Sequence, residues 1–193
     1  MDKDKKVWYA PHAFEAYGDE EIKAVEDCLR RGWLAGFGDA SIEFEKRVSI
    51  LFGKKYGLFV NSGSSACLLA IASLQLPKGA EIITPACTFS TTVAPIIQLG
   101  YKPVFCDVNL TAYVPTVAQV VAKITKNTGA IMIPNLIGNK PDWCALRAAL
   151  TEINREDIFL IEDSADTITH TIDSDVSTTS FYASHIITAG GGG

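Results

Sequence analysis

EIITPACTFSTTVAPIIQLGYKPVFCDV, residues 81–108, reads as strand, helix, strand, and that reading decides the fold. Glu81-Ile82-Ile83-Thr84 and Pro103-Val104-Phe105-Cys106-Asp107-Val108 are short apolar runs without polar alternation, the pattern of strands buried on both faces. Ser90 to Leu99, between them, is a helical segment, and two strands joined this way run parallel through a right-handed crossover. The same rhythm extends outward in both directions. Leu58-Phe59-Val60 precedes a helix over Ser64–Leu74. Downstream, a helix over Thr116–Ile124 leads to the strand Ala130-Ile131-Met132-Ile133, and a helix over Asp142–Ile153 leads to the strand Ile158-Phe159-Leu160-Ile161-Glu162. A last strand is expected over Thr178–Ser184. The fold class is therefore α/β, a three-layer α/β/α domain around a mostly parallel central sheet.

Upstream of Lys55 the rhythm differs. Asp19-Glu20-Glu21 opens a helix with Ile22, Val25, Cys28 and Leu29 on one face, closed by Arg30-Arg31 and Gly32; acids first and bases last suit the helix dipole. Gly32-Trp33-Leu34-Ala35-Gly36-Phe37-Gly38 is a glycine-punctuated loop, for which a surface turn suffices. Ser41–Phe52 is a second amphipathic helix. The chain divides into an amino-terminal segment and helix, 1–32, and a large domain, 33–193.

The 193 residues suffice for one substantial core, and 48% hydrophobic with 20% charged is ordinary globular composition. A net charge of −5 without a basic run predicts no nucleic-acid partner. Lys3, Lys5 and Lys6 are interrupted by acids. No apolar stretch reaches the roughly 20 residues of a membrane span, and the amino terminus lacks a signal-type apolar core. The five cysteines, 28, 67, 87, 106 and 144, are odd in number and widely spaced. Buried free thiols in a reducing cytoplasm are the expectation, with no metal site.

In such sheets ligands bind beyond the carboxyl ends of strands, and three stretches there carry chemistry. Asn61-Ser62-Gly63-Ser64-Ser65-Ala66 joins a strand to a helix, where free N–H groups, hydroxyls and the positive helix end suit a phosphate. Taken alone, a plain helix cap accounts for it equally. Glu162-Asp163-Ser164-Ala165-Asp166 follows the most apolar strand. A carboxylate there is costly to desolvate without a partner. A pyridinium nitrogen would be one; a turn aspartate is the other reading. Phe89, in Thr88-Phe89-Ser90-Thr91-Thr92, either stacks on a flat ring or packs in the core. Finally Ser180-Phe181-Tyr182-Ala183 delivers His185 ahead of a four-glycine tail. His12 and His170 lie in polar, irregular surroundings and read as surface residues.

In order and spacing, NSGSSACLLA, TPACTFSTTVAPI, GYKPVFCDV, PNLIGNKPDW, LIEDSAD and SFYASHIITAGGGG resemble the DegT-type family of nucleotide-sugar aminotransferases and dehydratases. The resemblance runs from about Trp33 to the last residue. It implies the large domain of pyridoxal-phosphate fold type I, with a smaller carboxyl-terminal domain beyond this chain. It also implies that Gly63, Ser64, Ser65 and Ser180 hold the cofactor phosphate, Phe89 stacks on the ring, and Asp163 partners the ring nitrogen. Asp166 stands where aminotransferases have glutamine, and His185 stands where they have the Schiff-base lysine. Those two departures resemble the 3-dehydratase branch, which acts on nucleotide-linked 4-keto-6-deoxyhexoses with pyridoxamine or pyridoxal 5'-phosphate held noncovalently. The family's glutamate is replaced by Gly191. A homodimer is expected from the same resemblance, and the alternatives are an aminotransferase relative or a non-catalytic remnant.

Overall fold

The computed structural model describes residues 17–33 and 36–193. Lys3, Lys5, Lys6, His12 and the Leu34-Ala35 part of the glycine loop lie outside them. In chain order the elements are α1 (Asp19–Arg30), α2 (Asp39–Leu51), α3 (Gly63–Ser73), β1 (Glu81–Pro85), α4 (Ser90–Gln98), β2 (Lys102–Cys106), α5 (Val117–Val121), β3 (Thr128–Pro134), α6 (Trp143–Glu152), β4 (Phe159–Asp163) and β5 (Val176–Thr178). The strands form one sheet in the order β2-β1-β3-β4-β5, and every pairing is parallel.

The pleat sends successive side chains to opposite faces, and the core divides accordingly. Ile82, Ala130, Met132 and Ile161 face one way, against Cys67, Ala70 and Ile71 of α3 and Ile96 of α4. Ile83, Ile131, Ile133 and Leu160 face the other way, against Val120 of α5 and Trp143, Leu146 and Leu150 of α6. Helices thus cover both faces, the arrangement the unalternating strands require.

Two expected strands come out differently. Leu58–Val60 stays outside the sheet and pairs through Val60 with Gly193, by reciprocal N–H to carbonyl bonds of 2.9 and 3.0 Å. The strand expected over Thr178–Ser184 pairs earlier, over Val176–Thr178, because β4 offers partners only from Ile161 to Asp163. Beyond it the chain turns, and Phe181 N–H donates to Gly192 O at 3.0 Å. The apolar stripe of α1 meets no core: Ile22, Val25 and Leu29 are 60–66% exposed. All five cysteines are free, but only Cys67 and Cys106 are buried; Cys28, Cys87 and Cys144 are exposed.

β4 ends in two adjacent acids that the pleat separates. Glu162, fully buried on the α6 side, accepts hydrogen bonds from Asn135 Nδ2 (2.9 Å), Ser164 Oγ (2.7 Å), Ser174 Oγ (3.0 Å) and Thr169 Oγ1. Lys54 reaches the edge of this network, donating to Ser174 Oγ at 2.8 Å and Thr171 O at 2.6 Å. Asp163 points to the α3 and α4 side, where the cleft lies.

Candidate active site

Beyond the carboxyl ends of β4 and β5 is a cleft of 480 Å³. Gly63, Ser64, Phe89, Asp163, Asp166, Ser180 and His185 all line it. Ser65, expected with them, does not: its N–H and hydroxyl both engage Ser62 Oγ at 3.1 Å, so it serves the cap of α3.

The start of α3 is built by close approach. A Cβ on Gly63 would lie 2.7 Å from Ser180 Cβ and 3.2 Å from Thr179 O, so only glycine lets the helix begin against the chain leaving β5. The result places Ser64 and Ser180 hydroxyls beside a helix amino end, where an anion is favoured.

Asp163 is buried at the cleft wall, and burial pushes its carboxyl above the usual carboxylate range, with the nearby Asp166 adding to the rise. Thr92 Oγ1 donates to Oδ2 at 2.8 Å, Cys67 Sγ lies 3.7 Å from the same oxygen, and Ala165 N–H reaches Oδ1 at 3.4 Å. Those donors are neutral. Among the described residues no basic side chain forms an ion pair with it, so a cationic ligand atom would supply what the fold withholds. Phe89, the N-cap residue of α4, is 69% exposed and lines the opening. An exposed phenylalanine at such a position offers its ring face to a planar ligand.

His185 is half-buried. Its Nε2 is 3.7 Å from Asp166 Oδ1. Its Nδ1 is buried without a hydrogen-bond partner, as is the neighbouring Ser184 Oγ. Tyr182 meets the imidazole edge-on at 6.1 Å between ring centres. His185, Asp166 and Ser184 also border a second cavity of 390 Å³ with Ile137 and Ile186. The imidazole therefore stands between two spaces. Among the described residues, no lysine lines either one.

The sequence did not mark Ser62, Cys67, Thr91, Thr92, Ala165, Tyr182 or Ser184 as part of the site, although most adjoin a marked residue. Cys67 and Thr92 sit one helical turn inside α3 and α4, where an inward polar residue reads as ordinary packing. His170 is exposed and borders neither cavity.

The chain is similar to known proteins in both sequence and fold. The chain is 38% identical to a dTDP-4-dehydro-2,6-dideoxy-D-glucose 3-dehydratase of Saccharopolyspora spinosa, over 91% of this chain and 40% of that one. A crystal structure of a GDP-4-keto-6-deoxymannose-3-dehydratase variant with bound GDP-perosamine superposes with a TM-score of 0.81 at 30% identity, over 95% of this chain and 50% of that one. The PLP form of a putative sugar aminotransferase from Streptococcus pneumoniae shares the fold, with a TM-score of 0.86 at 24% identity, over 97% of this chain and 52% of that one. The chain thus spans about half the length of these relatives, and the parallel α/β fold is that of the fold-type-I neighbours. The profile of the DegT/DnrJ/EryC1/StrS aminotransferase family matches residues 15–193, and the chain belongs to that family.

Proposed function

We propose that this chain is the cofactor-binding part of a nucleotide-diphospho-4-keto-6-deoxyhexose 3-dehydratase in deoxysugar biosynthesis for cell-surface polysaccharide, using pyridoxal or pyridoxamine 5'-phosphate without a covalent tether. One observation carries the reading: the base bordering the cleft is an imidazole, and among the described residues no amine lines it. A histidine moves protons near neutral pH but forms no imine with the cofactor.

The residues present fit the group. Gly63, Ser64 and Ser180 offer a phosphate seat at the start of α3. Phe89 and Asp163 line the same cleft, where Phe89 would stack on the ring and Asp163 would hold a proton on the ring nitrogen. When bound, the cofactor supplies an amine for the sugar's C4 ketone and an electron sink beside it. His185 would take up the proton released next to that amine, with Asp166 Oδ1 3.7 Å from its Nε2. The C3 hydroxyl would leave with a proton as water, and the two electrons that the 3-deoxy product retains would come from the cofactor's amine-bearing carbon, whose amine an external amino donor must then restore. The nucleotide sugar enters by the second cavity, which shares His185 and Asp166 with the first.

A homodimer and a cytoplasmic setting belong to this proposal. The exposed apolar face of α1 fits burial in an assembly, and five free thiols fit a reducing compartment. Light scattering tests the first: a monomer at all concentrations overturns it. Borohydride reduction of the cofactor-loaded protein tests the main reading. Mass spectrometry should show the chain without adduct; a cofactor fixed to the chain sinks it. The family's name favours a second reading, an aminotransferase. Glutamate-dependent formation of an amino sugar, in place of a 3-deoxy sugar, would select it.

A further inference from the structure

The two oxygens of Asp163 have unequal surroundings. Among the described residues, Oδ2 accepts from Thr92 Oγ1 at 2.8 Å and from Cys67 Sγ at 3.7 Å, whereas Oδ1 accepts only the Ala165 N–H, at 3.4 Å. Behind Thr92, Thr88 Oγ1 donates to Thr92 Oγ1 at 2.9 Å, which leaves the Thr92 proton for the carboxylate. Cys67 Sγ is also 3.5 Å from Thr178 Oγ1. A carboxylate offers about four acceptor sites, so Oδ1 retains unused capacity at the cleft wall.

We infer that Thr92 and Cys67 are positioning residues: holding Oδ2 from the α4 and α3 sides, they turn Oδ1 to the cleft as the acceptor for a protonated ring nitrogen. The identity of that ligand rests on the proposed cofactor; the contact set does not. Cys67 suits the task because it stays a thiol. Burial, reinforced by the Asp163 charge, pushes it up to about 12, so at neutral pH it adds a donor and no second anion. Among the described residues, the charged or titratable groups lining the cleft with Asp163 are Cys67 from α3, Asp166 from the loop after β4, and Tyr182 and His185 from the chain after β5. α4 contributes the neutral Thr92, and β5 reaches the group only through Thr178 behind Cys67.

The test is the titration of the Asp163 side-chain carboxyl by carbon-13 NMR in the whole cofactor-free chain. Thr92→Val should raise the midpoint, Thr92→Ser should restore it, and Cys67→Ala should raise it less. Binding of pyridoxal 5'-phosphate, followed by absorbance, should weaken roughly tenfold in Thr92→Val, the scale of one charge-assisted hydrogen bond. A midpoint unmoved in a folded Thr92→Val protein overturns the inference, whatever the cofactor does. A raised midpoint in a chain whose wild type binds no pyridoxal 5'-phosphate leaves Thr92 as a positioning residue and overturns the cofactor reading instead.

Discussion

In the proposed site Asp163 is the buried acid and His185 the half-buried base, and each makes a separate prediction. The Asp163 carboxyl is raised in the folded chain by burial. The sign follows: its protonated form is the one the fold favours. Its contribution to stability is full below the ordinary carboxylate pKa and is lost as pH rises through the folded value. Asp163→Asn should therefore raise the melting temperature of the cofactor-free chain at pH 7, with the gain vanishing below about pH 4. It should also abolish tight cofactor binding, a trade of function for stability. Thermal melts across pH check the first part, and an absent gain at pH 7 contradicts it. His185→Lys should allow the cofactor to become fixed by borohydride while dehydration falls by about 10²-fold or more, the typical worth of a general base. Unchanged dehydration would remove His185 from the mechanism. Cysteine chemistry divides by burial: Cys28, Cys87 and Cys144 should react quickly with a thiol reagent at pH 8. Cys67 and Cys106, raised to about 12 and about 11 by burial, should react only on unfolding.

At the scale of elements, the start of α3 and the end of β4 set the site. Ser62 caps α3 through its bond from Ser65 N–H at 3.1 Å; Ser62→Ala should cost about 1 kcal/mol in denaturant melts. Gly63→Ala forces a Cβ to 2.7 Å from Ser180. Overpacking of this kind costs about 1–3 kcal/mol, and here it also pushes the phosphate seat apart, so cofactor affinity should fall with stability. The pleat of β4 places Glu162 opposite Asp163, in a network of four side-chain donors. Glu162→Ala strands those donors in the interior and should destabilise by about 2–3 kcal/mol, more than its position away from the cleft would suggest. A loss below 1 kcal/mol would mean that water or a neighbouring side chain replaces the carboxylate.

Over the whole molecule, stability is concentrated in the centre of the sheet. β1, β3 and β4 carry nearly all the fully buried apolar side chains of the sheet, including Ile82, Ile83, Ile131, Met132, Ile133, Leu160 and Ile161. α1 buries none. Amide hydrogen exchange should accordingly be slowest in β3 and β4, which exchange only by global opening, and fastest in α1. Equal protection of α1 in the isolated chain would show that a partner surface covers its apolar face.

The sequence determined the layers. Apolar runs without alternation favour burial on both faces, and β1, β2, β3 and β4 lie within a residue or two of where those runs place them, although β2, at the sheet edge, leaves Phe105 exposed. Its resemblance to the family also pointed to Gly63, Ser64, Phe89, Asp163, Asp166, Ser180 and His185, which line one cleft. Tertiary structure alone decided the rest. Leu58–Val60 has strand composition, but its available hydrogen-bond partner is Gly193 and not a sheet edge. Whether Ser65 or its neighbour faces the cleft depends on which hydroxyl the Ser62 cap engages. Cys67 and Thr92 became part of the site because two helices, distant in sequence, converge on one carboxylate. Local pattern fixes which side chains must leave water, whereas the partner each one meets is set by long-range packing, which periodicity does not encode.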